Sequence, residues 1–308
     1  MTLFQAFTEI KKQLFLQMQS YIMVKRLIIT ADDLGLTPEI NKGIYKAHQA
    51  GLLTCAALLM NAPATDQGIE IARELKTLET GLHLSIVEGI SLRNKRSTVT
   101  DEIDYFKGNI CLIRHWKEFA KKFYLGKINN KELEEELELQ FQLFLKNFDN
   151  IPFLNGTQHL HVLPGVWDIV LKLSLKYQVK AIRLPALSMP NSTWLNIKSL
   201  FLLPFQLFGE IARRDLKGTN IKVASNVFGM QYSGKINERK FLKLIRSAPF
   251  RASEIVMHPG YACSQLRHNL PWSYETFDWE MERKTLTSPD VADYISKNLI
   301  QLINFSNL

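Results

Sequence analysis

From Arg26 onward, short apolar runs alternate with segments whose apolar residues recur at helical spacing. Arg26–Ala31 reads as a buried strand that ends in Asp32-Asp33. Pro38–Ala50 reads as a helix: Thr37 can cap its N-terminus, proline suits the first helical position, and Gly51 stops it. A strand at Thr54–Met60, a helix at Ala64–Lys76 and a strand-like run at Gly81–Ile86, carrying His83, follow. Arg93 to Leu125 is irregular. Leu133, Leu137, Phe141, Phe144 and Leu145 then mark the apolar stripe of an acidic helix, whose glutamates between Lys131 and Gln140 are expected on a solvated face. Beyond it come Gln158–Val162, a helix over Val166–Tyr177, a strand at Lys180–Leu184 and a Leu/Phe-rich insertion from Asn191 to Lys217. Helix Glu238–Ser247, strand Glu254–Met257 and a helix from Pro289 complete the pattern.

Repeated strand–helix alternation predicts a parallel sheet covered by helices. Asp32, Asp33, His83, His159, His161, Arg183 and His258 all fall in or just beyond the C-terminal part of an expected strand. In a β/α barrel those ends converge on one mouth, whereas an open sheet would spread them along an edge. No glycine-rich phosphate loop follows the first strand, so a nucleotide-binding sheet has little support. The expected fold is therefore α/β: an irregular, TIM-like (β/α) barrel forming a single domain over residues 25–308. Residues 1–24 are expected to form an amphipathic helical extension, because Phe4, Phe7, Ile10, Leu14, Met18 and Tyr21 recur every three or four residues.

Composition narrows this picture only slightly. At 308 residues with 46% hydrophobic and 22% charged, the chain can bury one large core, and no linker or repeat divides it. The formal charge of +8 is scattered, without the basic block of a nucleic-acid binder, so no nucleic-acid partner is expected. Cys55, Cys111 and Cys263 stand far apart, which argues against a disulfide framework or a cysteine zinc site and points to a reducing, cytoplasmic compartment. No stretch reaches transmembrane length, and Glu9, Lys11 and Lys12 interrupt any signal-peptide core.

The adjacent carboxylates Asp32 and Asp33 repel each other unless a cation or hydrogen-bond donors neutralise them. With a divalent metal, one would bind the ion and the other act as base. Imidazole from His83 is a plausible companion ligand. His159 and His161 would share a face if their segment were extended, which suggests a ligand and a proton carrier. His258, at a strand end before Pro259, suits a general acid.

Together these segments resemble the YdjC-like carbohydrate deacetylases, a family that includes chito-oligosaccharide deacetylase and the hopanoid-biosynthesis protein HpnK. The resemblance runs from about Lys25 to Phe305. It is carried by Thr30-Ala31-Asp32-Asp33-Leu34-Gly35-Leu36, Asn61-Ala62-Pro63-Ala64, Gly81-Leu82-His83-Leu84 with Glu88-Gly89, Gln158-His159-Leu160-His161, Arg183-Leu184-Pro185 and His258-Pro259-Gly260-Tyr261. Asn226-Val227-Phe228-Gly229, followed by Ser233-Gly234, looks more like the HpnK branch.

The resemblance implies metal-dependent removal of an N-acetyl group from an amino sugar. Asp32 would be the base and His258 the acid; Asp33 and His83 would be ligands of Mg2+ or Zn2+; and Glu88, His161 and Arg183 would lie at the substrate, unless Arg183 instead holds Asp32 or forms an ordinary structural ion pair. The family's third ligand position falls on Thr157, so His159 could shift into the site, a carboxylate or water could complete the shell, or catalysis could be lost. A non-catalytic glycan- or glycolipid-binding relative is the rival that Thr157 favours, and a metal-dependent phosphohydrolase is a third reading. The insertion between Trp194 and Arg214 reads as a helix pair packed on the barrel, or as an apolar lip for a lipid-linked sugar at the inner membrane surface. Assembly as a homo-oligomer is also expected.

Overall fold

The computed structural model describes residues 24–101, 105–106, 108–185, 197–269 and 275–308. The expected N-terminal helix, apart from Val24, and the first part of the insertion lie outside these residues. β1 (Arg26–Leu34) begins the fold and runs three residues beyond the expected strand, through both aspartates. It is followed by α1 (Pro38–Gln49), β2 (Cys55–Leu59), α2 (Thr65–Glu74), β3 (Glu79–Leu84), α3 (Trp116–Tyr124), α4 (Asn130–Asn147) and β4 (Leu154–Gly156). The second half holds α5 (Val166–Lys176), α6 (Ile197–Asp215), β5 (Asn226–Phe228), α7 (Glu238–Ser247), β6 (Ala252–Met257), α8 (Ser264–Asn269), α9 (Trp279–Leu286), α10 (Pro289–Lys297) and β7 (Gln301–Leu302).

Every pairing between these seven strands is parallel, in the order β4-β3-β2-β1-β6-β5 with β7 beside the start of β1. Helices cover the sheet, which is why β2 reads as an unbroken apolar run and β1 as one from Leu27 to Ala31 interrupted by Thr30 alone. The sheet is strongly curled. In a flat sheet β1 and β4 would lie three spacings apart, roughly 14 Å. Instead, Asn155 on β4 donates to Asp32 on β1 at 3.0 Å. Single bridges from Leu154 to Ile182 and from Ala181 to Lys222 carry the curl past β4. The expected strand at Lys180–Leu184 thus exists only as these bridges.

Local chemistry explains the elements. Thr37 Oγ1 accepts from Ile40 N at 3.2 Å with Pro38 at the first helical position, as the sequence predicts. Gly43 of α1 lies so close to Gly260 that an added Cβ would come within 2.3 Å of its Cα. Two glycines therefore let α1 pack directly on the loop that carries His258. On α6, Leu203, Leu207 and Ile211 form an exposed apolar stripe, while Ala212 is buried and Asp215 accepts from Trp167 Nε1 on α5. Among the described residues no helix is long and apolar enough to cross a membrane.

The acidic helix α4 departs from expectation. Glu134 and Glu138 pair with Lys172 and Lys176 of α5, at 2.6 and 2.5 Å. Glu136 is buried and accepts from Ser91 Oγ, Leu92 N and Arg93 N. One turn on, Gln140 takes both the N–H and the C=O of Ser85. One face of a helix that looks solvated in sequence thus anchors the backbone that follows β3, because a buried loop must satisfy its polar groups somewhere. Replacing Glu136 with alanine strands up to three donors, so Glu136→Ala is expected to lower stability by roughly 3 kcal/mol in urea unfolding. A change below about 0.5 kcal/mol would show that this carboxylate is not needed.

Candidate active site at the mouth of the curled sheet

Arg183 is fully buried and lies between two carboxylates. Its Nη1 and Nη2 donate to the two oxygens of Asp32 at 2.6 and 2.9 Å, and its Nε and Nη2 donate to Glu254 Oε1 at 2.8 and 2.6 Å. Burial pushes the Asp32 carboxyl up, but the Arg183 charge, with His83, the Arg183 hydrogen bonds and His258, outweighs it and holds Asp32 well below the usual carboxylate range. Glu254 moves the other way. Burial raises it, with Asp32 adding repulsion, against the opposing pull of Arg183. Arg183 was expected either to orient the sugar or to hold Asp32, and its guanidinium is directed at Asp32 and Glu254 inside the sheet.

Asp33 sits at φ 71°, a left-handed conformation that a short polar side chain tolerates. The pairing of β1 with β2 also shifts register between Ala31 and Leu34. Regular alternation would send adjacent carboxylates to opposite faces; this irregularity accompanies the delivery of both to one mouth. Asp33 Oδ1 lies 3.5 Å from His83 Nε2. On its other side, His83 Nδ1 meets Asn155 Oδ1 at 2.6 Å.

His258 follows β6. Its backbone N–H donates to Glu282 Oε2 at 2.5 Å, and its Nδ1 lies 3.7 Å from the same oxygen. Glu282, fully buried on α9, also accepts from Ile236 N. Burial works against a charged imidazole here, but the nearby Glu282 carboxylate, followed by Asp33 and Asp32, raises the His258 pKa. The Phe277 ring meets His258 edge-on, with centroids 4.8 Å apart.

The stretch Thr157–Val162 is a kinked 3-10 turn and not the extended piece expected, so His159 and His161 do not share a strand face. Gln158 and His159 both have positive φ, and Gln158 Nε2 donates to Glu88 Oε2 at 2.7 Å. His161 was also expected at the substrate, but it is fully buried with Nε2 against Arg183 O at 2.8 Å. Burial lowers its pKa to about 4, and that of His159 to about 3. Thr157 and Glu88, with Asp33, Leu36, Leu59, Phe277 and Trp279, line a cavity of about 30 Å³, enough for one water-sized occupant.

These residues fit a divalent ion in part. Asp33 and His83 offer a carboxylate and an imidazole across a 3.5 Å gap. Thr157 Oγ1 is buried without a hydrogen-bond partner among the described residues and lines the same cavity as Asp33. Yet no group of three or more His, Cys, Asp or Glu converges among the described residues, and His159 does not complete one. The donor set, one carboxylate, one imidazole and one hydroxyl, therefore falls short of a three-ligand zinc centre, and an ion held there would take much of its shell from water.

Asn155, Glu254 and Glu282 had not been singled out from the sequence. Asn155 and Glu254 were legible only as polar residues interrupting apolar strands, and Glu282 only as one charge among several in its helix.

The buried imidazole of His161 generates a pH prediction. Its folded pKa of about 4 lies below the unfolded 6.5, so its contribution is complete above the unfolded value and is lost as pH falls toward 4, where the unfolded chain binds the proton first. Between pH ~7 and ~4.5 this group should account for about 2 to 3 kcal/mol of lost stability. Urea unfolding of His161→Gln should show a loss over that interval smaller by this amount than wild type, and equal losses would refute the assignment.

Comparison with known proteins places the chain. A carbohydrate deacetylase of Mus musculus is 27% identical over 301 residues, covering 92% of this chain and 94% of that protein. One from Brevibacillus brevis is 27% identical over 285 residues, covering 92% and 99%. The crystal structure of an Enterococcus faecalis V583 protein proposed to cleave cellobiose phosphate superposes with a TM-score of 0.68 at 22% identity, covering 92% of this chain and 98% of that one, which establishes a shared fold. Residues 26–297 match the model of the YdjC-like protein family, and the chain belongs to that family.

Proposed function

We propose that this protein is a metal-dependent hydrolase that removes an N-acetyl group from an amino sugar. The observation that carries the reading is a pair of groups at one mouth whose pKa values are driven apart. Asp32 is held ionised by Arg183, and His258 is held toward its protonated form by Glu282. Opposed environments of this kind mark a base and an acid. The carbohydrate deacetylases among its relatives supply the substrate class.

A cation between Asp33 and His83 would supply a Lewis acid and a water of lowered pKa. Asp32 would take the attacking water's proton on Oδ2, which among the described residues accepts from Arg183 Nη1 alone, whereas Oδ1 accepts from both Arg183 and Asn155. His258 would deliver a proton to the departing amine, with Glu282 holding its ring and backbone. The apolar walls from Leu36, Leu59, Phe277 and Trp279 would limit water around the acetyl group. The finer readings extend this one: an irregular barrel completed by the single bridges, the HpnK-like branch, and a lipid-linked sugar meeting the exposed stripe of α6.

A second reading, a glycan-binding relative without catalysis, is favoured by Thr157 and by the lack of a third imidazole or carboxylate among the described residues. Acetate release from N-acetylglucosamine oligosaccharides, before and after chelation and resupply of Mg2+ or Zn2+, separates the two. Activity that disappears with chelator and returns with one ion is expected. Asp32→Asn and His258→Gln should each lower kcat about 10²- to 10⁴-fold in folded protein. If wild type releases no acetate and only Thr157→His gains activity, the non-catalytic reading stands instead.

A further inference from the structure

Asn155 is fully buried on β4, directly beside His83 in the pairing of β3 with β4. Both polar ends of its side chain are used. Nδ2 donates to Asp32 Oδ1 at 3.0 Å, and Oδ1 lies 2.6 Å from His83 Nδ1. The orientation of this amide is dictated by its neighbours. An ionised Asp32 offers only acceptors, so the NH2 end must face it, and the amide oxygen is left for His83. At 2.6 Å that oxygen requires a hydrogen on Nδ1. A neutral His83 then carries its lone pair on Nε2.

That lone pair faces Asp33 Oδ1, a second acceptor, 3.5 Å away. Two acceptors opposed at this distance repel unless something positive lies between them. The curl that brings β1 against β4 thus lets one neutral side chain settle two things: which nitrogen of His83 is open, and where Asp32 Oδ1 is held. Asparagine suits the position chemically. Leucine would leave His83 free to change tautomer, and aspartate would accept from Nδ1 but set a second carboxylate against Asp32.

We propose that Asn155 is a positioning residue: it locks His83 in the Nδ1–H tautomer, with Nε2 open toward Asp33 for a divalent cation, and ties that arrangement to Asp32. The cation, though not the tautomer, rests on the deacetylase reading. A partner that fixes the tautomer of a ligating histidine is worth about 10- to 100-fold in metal affinity.

The test needs no enzymatic activity. The imidazole nitrogens of 15N-labelled, metal-free full-length protein are observed by two-bond 1H–15N correlation at alkaline pH, and the His83 signals are identified by their loss in His83→Gln. Wild type should show the Nδ1–H form. Asn155→Leu should lose it and bind Mn2+ about 10- to 100-fold more weakly in an electron paramagnetic resonance titration. Asn155→Asp, which keeps an acceptor for Nδ1–H, should retain the tautomer and the Mn2+ affinity. An Nε2–H form in wild type overturns the proposal, even where Asn155→Leu fails to fold. So does an unchanged tautomer with unchanged Mn2+ affinity in Asn155→Leu. A wild type that shows the Nδ1–H form, loses it in Asn155→Leu and binds no Mn2+ supports the positioning role and counts against the cation reading.

Discussion

The rest of the site depends on the buried guanidinium of Arg183. Three buried charges lie inside the sheet, two negative and one positive, and desolvation acts against all of them. Such a cluster adds little stability compared with an apolar core, but removing one member leaves an uncompensated buried charge. Its value lies in geometry. Arg183 spans from Asp32 on β1 to Glu254 on β6, and its backbone N–H continues the pairing of β4 by donating to Leu154 O. The guanidinium thereby ties the segment that follows β4 to the paired strands β1 and β6, to which no described ladder joins it, and fixes Asp32 with one oxygen less occupied than the other.

Around this centre the backbone is unusual. Asp33, Glu88, Gln158 and His159 all adopt positive φ without being glycine. Asp33, Glu88 and Thr157, next to Gln158, line the same small cavity. Left-handed non-glycine residues cost of order 1 kcal/mol or more each and persist only where their surroundings impose them. Here the imposing contacts are visible. Gln158 bonds Glu88, Glu136 and Gln140 hold the backbone that follows β3, and the close approach of Gly43 to Gly260 seats the loop bearing His258. Helices whose exteriors pair by ordinary ion bridges thus brace the loops of the candidate site with their inner faces.

By itself, the sequence determined the α/β class of fold and singled out Asp32, Asp33, His83 and His258 as candidates. Apolar runs alternating with helical spacing require a parallel sheet under helices, and Thr37-Pro38 and Gly51 bound the first helix by local chemistry alone. Asp32, Asp33, His83 and His258 were legible because charged or titratable residues at strand ends are costly without a purpose. Tertiary structure decided which groups meet. His161 looked like a substrate contact and is an internal brace, and of the roles open to Arg183 the structure shows the one that holds Asp32, because strand position does not reveal how far a sheet curls. The extended reading of Gln158–Val162 failed because consecutive left-handed residues leave no periodic signature. Asn155, Glu254 and Glu282 emerged only in space, since a hydrogen bond between residues 123 positions apart, as from Asn155 to Asp32, depends on the curl of the whole sheet and not on any local pattern.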